Sequence, residues 1–314
     1  MRGTPAASIL TRQNSPEMLL LLRAATTSHR RAQRLVSAHL AVSVLLAGTA
    51  TLGVFVPAMQ TPVTLAGFVW AVVHVVGAPA WTAPELRRAA LVQEMFDVRL
   101  FGIEWNQVLA GSPPPGHEVS RVARRYRGAE SRLYDYYEID EMDELDHPLD
   151  VLACQLQNLG WGARVRRRYA ATVLAFLAVW SATGVGVAAA RSMSVAELLL
   201  QWFVPSLGLL LTGMDIVITQ RDTATAREHT QAVLLERIHT YASRGAPAAD
   251  VPQLLFLARQ IQDVLLSTRL RQTRVPNWFF RPFQSSDRAD FAVAQQDMRR
   301  LVSGATTPSL PDPG

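Results

Sequence analysis

Four stretches of this chain are too long and too uniformly apolar to sit in the core of a soluble domain. Residues 35–56 hold His39 as their only ionisable side chain other than hydroxyls, and residues 63–81 hold only His74. Residues 169–190 and 198–214 carry no charged side chain, with Glu197 just before the last stretch and Asp215 just after it. At about 1.5 Å per helical residue the four reach roughly 25–33 Å, the thickness of a hydrocarbon core of about 30 Å. A soluble helix of this length would carry a polar stripe, and these do not. Composition agrees, with 49% hydrophobic and 18% charged residues. The fold class that follows is all-α: a polytopic membrane protein with four transmembrane helices in two hairpins and an α-helical cytoplasmic module. No signal peptide is expected, because the first apolar run starts late and lacks a small-residue cleavage site.

Short connections make the hairpins, Pro57–Pro62 in the first and Arg191–Glu197 in the second. Arginine placement orients them. Arg30, Arg31 and Arg34 precede the first span, and Arg87 and Arg88 follow the second. Arg164 and Arg166–Arg168 precede the third, and Arg221 and Arg227 follow the fourth. The outer turns hold Arg191 alone, so the positive-inside rule places both termini and the middle segment in the cytoplasm of a bacterial inner membrane. The expected organisation is an N-terminal cytoplasmic helix over 1–34, a first hairpin over 35–82, a cytoplasmic helical region over 83–168, a second hairpin over 169–219, a C-terminal cytoplasmic helical region over 220–305 and a disordered tail over 306–314. Ser15-Pro16-Glu17 predicts a capped helix start. "GSPPPG" from Gly111 divides the middle region, and "RGAPAADVP" separates two tail helices, 221–244 and 252–274.

Three stretches outside the spans are richer than stalks need to be. In "QEMFDVRLFGIEWN", which begins at Gln93, Glu94, Asp97 and Phe101 share one helical face. In "CQLQNLGWGARVRRRY", which begins at Cys154, Asn158, Trp161, Arg164 and Arg168 recur at three- and four-residue steps. In "LARQIQDVLLSTRLRQTRVPNWFF", which begins at Leu257, Arg259, Gln262, Leu266 and Arg269 line one face before Val275-Pro276 stops the helix. Each has a plain reading as well. Arg166–Arg168 abut a span and suit lipid headgroups. Trp81, Trp161 and Trp278 suit an interfacial aromatic belt. Glu94 and Asp97 suit pairing with arginines on a solvated face. The joint pattern favours more, because amides among the apolar positions of three helices must find partners when buried.

Several chemistries find no foothold. The single cysteine, Cys154, excludes an internal disulfide and a cysteine-based zinc site. The acidic run Tyr134–Asp150 lacks the glycine turn and ordered oxygens of a calcium loop and reads as a solvated linker. The 7 histidines are scattered without metal-ligand spacing. No phosphate loop, dinucleotide fingerprint, nucleophile elbow or kinase set occurs, so neither enzyme activity, a metal nor a cofactor is expected. All 31 basic residues are arginine, and they gather at membrane boundaries rather than in a stripe, so a nucleic-acid polymer is not an expected partner.

Taken in order, these motifs resemble the SMODS-associated four-transmembrane pore-forming effectors of bacterial cyclic-oligonucleotide (CBASS-type) immunity. The resemblance rests on "RQNSPEMLLLLRAA" from Arg12, "QEMFDVRLFGIEWN", the aromatic pair Tyr136-Tyr137 with "CQLQNLGWGARVRRRY", and "RQIQDVLLSTRLRQTRVP". It runs from about Arg12 to Pro282. Tyr136 stands where the pattern has tryptophan, and Gly162 where an acidic residue is common. The resemblance implies an antiphage effector that disrupts the inner membrane when a cyclic oligonucleotide is made, with the lipid bilayer and further copies of itself as partners. Such a ligand needs arginines for its phosphodiesters and aromatic faces for its bases. The candidate ligand-binding residues are Trp161, Arg164, Arg168, Arg259, Arg269 and Trp278. Gln93, Glu94, Asp97, Trp105, Asn106, Asn158, Gln262 and Asp263 are candidates for a coupling or structural network. Arg259 also stands four residues before Asp263, and Glu94 and Asp97 offer partners for the same arginines, so a purely structural network competes with the pocket. The rival functions are a membrane-anchored receptor or scaffold without a pore, and a small-solute transporter, for which only Pro205 hints at a broken helix. Ala178, Ala182, Gly186 and Ala190 repeat every four residues along the third span, and are expected to pack against the fourth span of the same protomer.

Overall fold

The computed structural model describes residues 8–137, 145–271, 274–276 and 279. Among these residues there is no strand. The helices are α1 (Ile9–Gln13), α2 (Pro16–Phe55), α3 (Pro57–Phe101), α4 (Gln107–Ala110), α5 (Gly116–Ala123), α6 (Leu149–Ala190), α7 (Val195–Leu198), α8 (Val204–Ser243) and α9 (Val251–Arg271). The chain is an all-α membrane protein whose four spanning helices are α2, α3, α6 and the continuous run Val195–Ser243.

Each spanning helix is far longer than a bilayer requires. The 40 residues of α2 make a rod of about 60 Å, twice the hydrocarbon thickness. The boundaries expected near residues 34, 82, 168 and 219 therefore fall inside α2, α3, α6 and α8. The helices run on through each boundary, α3 even past Pro79 and Pro84. Local signals act elsewhere: Ser15 caps α2 by accepting from the Met18 amide at 3.4 Å, and Pro16 occupies the first helical turn. Gly102, at φ 67°, ends α3 in the left-handed region that other residues avoid. The first tail helix expected from sequence is the continuation of α8, and Gly245 at φ 79° closes it. The expected six-residue turn of the first hairpin is a correction: Val56 alone joins α2 to α3, because Pro57 starts α3 at once as a first-turn proline. The expected tail 306–314 lies outside the described residues.

In the membrane α8 is the hub. It packs against α2, α3 and α6, whereas α6 meets the other spans mainly through α8. Its most apolar stretch is 44% buried, against 17%, 12% and 17% for the other three spans. Close approach makes this possible. A Cβ on Gly67 would stand 2.3 Å from the Pro205 Cα, so only glycine lets α3 cross α8 there. A π-helical turn, Leu199–Phe203, precedes Pro205 and absorbs its missing amide, and Thr64 donates to the Leu200 carbonyl at 2.8 Å. The small-residue stripe of the third span is a second correction. Leu177, Gly184 and Ala188 face α8, while Ala178, Ala182, Gly186 and Ala190 are exposed on the protomer's outer side.

Beyond the spans the same helices form a module with its own core. Leu21 and Leu22 of α2, Phe96 and Leu100 of α3, Leu152 and Leu156 of α6, Leu234 of α8 and Leu265 of α9 meet in one buried cluster. Gly67→Ala is expected to lower the thermal stability of the detergent-solubilised protein by about 1–3 kcal/mol, because the new methyl meets backbone that cannot yield. A melting curve identical to that of the parent would show that α3 and α8 are not in this contact.

Candidate functional site

The centre of the module is polar where a core would normally be apolar. Glu94 and Asp97, one turn apart on α3, are 1% and 0% exposed. Facing them on α9, Gln262 donates to Glu94 at 2.7 Å and to Asp97 at 3.1 Å. Arg269 donates to Asp97 at 2.6 Å. Arg259 divides its guanidinium among Glu94 at 2.9 Å, Asp263 at 2.7 Å and the Glu104 carbonyl at 2.6 Å. Asn106 donates to Asp263 at 3.0 Å while its own oxygen caps α4. Each of these side chains has at least one partner, as burial demands, and only the Nε of Arg259 among their buried polar atoms is left over.

From α6 and the Tyr136-Tyr137 segment the network extends inward. The Tyr137 hydroxyl donates to Asp97 at 2.7 Å and accepts from Asn158 at 2.6 Å. Gln13 clamps the Tyr137 backbone from both sides, accepting from its amide at 2.9 Å and donating to its carbonyl at 3.2 Å. Gln93 donates to the Tyr136 hydroxyl at 2.8 Å and accepts from His29 at 2.9 Å and Arg274 at 2.8 Å. Trp105 stands at the edge, donating to the Gly111 carbonyl at 2.7 Å.

Electrostatics divide the site into two halves. Around Asp97 the charges are matched. Burial opposes the charge on Arg269, yet Asp97, Tyr136 and Glu94 together hold its guanidinium above the ordinary range. Burial pushes the Glu94 carboxyl up, against the pull of Arg269 and Arg259. Towards α8 burial weighs more heavily on the arginines. Burial, with Arg274 nearby, lowers Arg166 to about 10, and burial with Arg166 and Arg269 pushes Arg227 well below the usual arginine value. Arg227 donates to the Asn158 carbonyl and the Thr268 hydroxyl, and Arg166 to the Gln220 side chain, all neutral acceptors. A Cβ on Gly162 would stand 2.9 Å from Arg227 and 3.4 Å from Arg166. The position where the resembled pattern has an acid therefore lies beside both guanidiniums.

The structure brings Glu94, Asp97, Asn106, Asn158, Arg259, Gln262, Asp263 and Arg269 into this one hydrogen-bonded set, and Gln93 lies beside it, bonded to Tyr136, His29 and Arg274. Arg164 and Arg168 lie on the exposed face of α6. Trp161 is on α6, and Trp278 lies outside the described residues. The arginine run before the third span is split rather than shared: Arg166 turns into the core and Arg167 pairs with Glu228 of α8. The suggestion that all three meet lipid headgroups is corrected accordingly, since one helical turn cannot aim three consecutive side chains at one surface. Sequence reasoning missed His29, Arg227 and Gln220, which sit among ordinary helix residues without a spacing that marks them. Gln13 was visible only through the "RQN" motif. No three His, Cys, Asp or Glu side chains converge on a metal position among the described residues.

The model of the SMODS-associating 4TM effector domain matches residues 7–298. The chain belongs to this family. It is also similar to a protein of Bacillus cereus (strain VD146) described as a probable CBASS effector molecule, 20% identical over 299 residues that cover 89% of this chain and 94% of the relative. No solved structure matches it.

Two outcomes follow from the site. Asp97→Ala leaves Arg269 buried without its carboxylate and is expected to destabilise the protein by about 3–5 kcal/mol. Arg269→Ala should cost a similar amount, and the double variant less than the sum; strict additivity in thermal unfolding would mean the pair does not interact. The second concerns pH. Because the folded Glu94 carboxyl lies above its unfolded value, its contribution to stability is fully present below about pH 4.3 and is lost as pH rises through the folded value. Glu94→Gln mimics the protonated form, so its stability relative to the parent should improve from pH 4 to pH 7, and a gap constant with pH would refute the shift.

Proposed function

We propose that this chain is an antiphage-defence effector of the bacterial inner membrane, triggered by a cyclic oligonucleotide at its helical module and acting by opening the bilayer. Family membership and the description of the Bacillus cereus relative support the defence role. The observation that carries the mechanism is continuity. The helices that cross the membrane, α3 and α6, are the same rods that bear Glu94, Asp97 and Asn158, and α9 is locked to α3 by Arg259, Gln262 and Arg269 and to α6 by Gln155. A ligand that disturbs α9 is thereby read by the spans without a flexible linker.

An anionic ligand has two ways in. Arg164 and Arg168 stand exposed on α6. Arg259, whose side chain is 17% exposed, can exchange Glu94 and Asp263 for a phosphodiester in the same bidentate geometry. Arg269, Trp161 and Trp278 complete the proposed ligand set, and the remaining network residues transmit the change. Arginine rows at the ends of the spans support cytoplasmic termini. The outward stripe Ala178, Ala182 and Gly186 offers other copies a surface for close helix packing, as a pore of four-span protomers needs.

The test is to express the protein with a cyclic-oligonucleotide synthase and follow membrane potential. Induction of the synthase should depolarise the cells, and Arg259→Ala or Arg164→Ala should abolish this while the protein stays in the membrane. Wild-type nucleotide affinity in both purified variants would remove these arginines from the site. Phage protection without depolarisation would replace the pore by a membrane-anchored receptor.

A further inference from the structure

Within the spans, three ionisable side chains from three different helices are joined in a line. The His39 Nε2 of α2 lies 2.9 Å from the His74 Nδ1 of α3, and the His74 Nε2 lies 3.0 Å from the Asp215 carboxylate of α8. The Thr212 hydroxyl of α8 stands 3.2 Å from the same His74 Nδ1 and donates to the Gly208 carbonyl at 2.6 Å. Trp70 of α3 stacks on the His39 ring with centroids 4.7 Å apart, and donates to Ser43 of α2 at 2.9 Å. Arg34 lies five residues before His39 and Arg221 six residues after Asp215, so the line sits about 8–9 Å beyond the arginine rows, with His39 and His74 within their apolar stretches and Asp215 at the end of its own. Ionisable groups at that depth are rare and mark functional sites.

The hydrogen-bond chemistry limits what this line can hold. A carboxylate only accepts, so the His74 Nε2 donates to Asp215 when that carboxyl is ionised. The contact between the His39 Nε2 and the His74 Nδ1 needs a proton on one nitrogen and a lone pair on the other. With both rings protonated, two cations stand with ring nitrogens 2.9 Å apart and neither offers the other a lone pair. Tyr169 of α6 and Arg274 face α2 along the groove lined by Gln33, Ser37 and Leu40, and a phenol is uncharged between about pH 5 and 8. The line reaches the surface of the bundle: the Asp215 side chain is 69% exposed and His39 is half-buried, unlike a clamp sealed in a core.

We propose that His39, His74 and Asp215 form a proton-binding site in the membrane bundle, a second input independent of the nucleotide. Protonation of both rings breaks the link between His39 and His74 and releases α2 from α3 and α8. The full-length protein in lipid nanodiscs tests this without any nucleotide. An imidazolium under an indole quenches it, so tryptophan emission should fall between about pH 8 and 5. Trp70→Phe should lose that component, and His39→Gln should be flat. Thermal stability separates a switch from a passive clamp. Below about pH 6 the parent should lose several degrees in Tm relative to His39→Gln, and at pH 8 it should not. A quench that persists in His39→Gln, or a Tm difference that ignores pH, overturns the proposal. Should His39→Gln not insert, His74→Gln serves instead: without the second cation, acid should cost markedly less stability, and an unchanged loss overturns the proposal equally.

Discussion

The structure depends on the burial of Asp97 against Arg269, with Glu94 and Gln262 alongside. Taking four such groups out of water is unfavourable unless each is paired, and the geometry pairs all of them across the seam between α3 and α9. An apolar seam of the same size would hold the helices at least as firmly but would tolerate sliding. The charged seam does not, because a one-turn slip would leave carboxylates and guanidiniums unmatched. That makes α9 a lever with few stable positions, attached to a helix that crosses the bilayer, and interfaces with discrete positions are what switching proteins use.

A different constraint operates in the membrane. There the spans gain little from excluding water, so contact rests on close packing and internal hydrogen bonds. Gly67 against Pro205 and Gly213 against Leu177 set how near α8 comes to α3 and α6. Trp180 on α6 donates to Ser206 of α8 at 3.0 Å, and its ring stacks on Trp202. Polar links are sparse and most join two elements, which is why the line from His39 to Asp215, across three helices, is conspicuous. The module and the bundle thus each hold one polar nucleus, and the same continuous helices, α2, α3 and α8, run through both.

Much of this was legible in the amino-acid order. Uncharged apolar runs give the spans, Ser15-Pro16 gives the start of α2, and the amides and acids at three- and four-residue spacing mark the helices that meet at the network. What was not legible has physical causes. Span ends are invisible when a helix continues beyond the bilayer, because apolarity stops while helical geometry does not. The outward direction of Ala178, Ala182 and Gly186 depends on which face of α6 meets the fourth span, and the small Ser181, Gly184 and Ala188 mark a second face, where Leu177 packs on Gly213 and Gly184 on Trp202. Buried Arg166 and Arg227 were hidden because an arginine beside a span looks like a headgroup anchor until the tertiary contacts are known. Pairing across sequence separations of 165 and 172, as in Arg259 with Glu94 and Arg269 with Asp97, could only be named as an alternative to ligand binding.

The central claim is that the seam in the module governs the arrangement of the spans. Spin labels at the exposed positions Val76 on α3 and Val179 on α6, in the full-length protein in nanodiscs, test it by pulsed dipolar spectroscopy with and without Asp97→Asn. The account predicts that loosening the seam shifts or broadens the distance distribution between the spans while the protein stays folded. A distribution identical to that of the parent would contradict it.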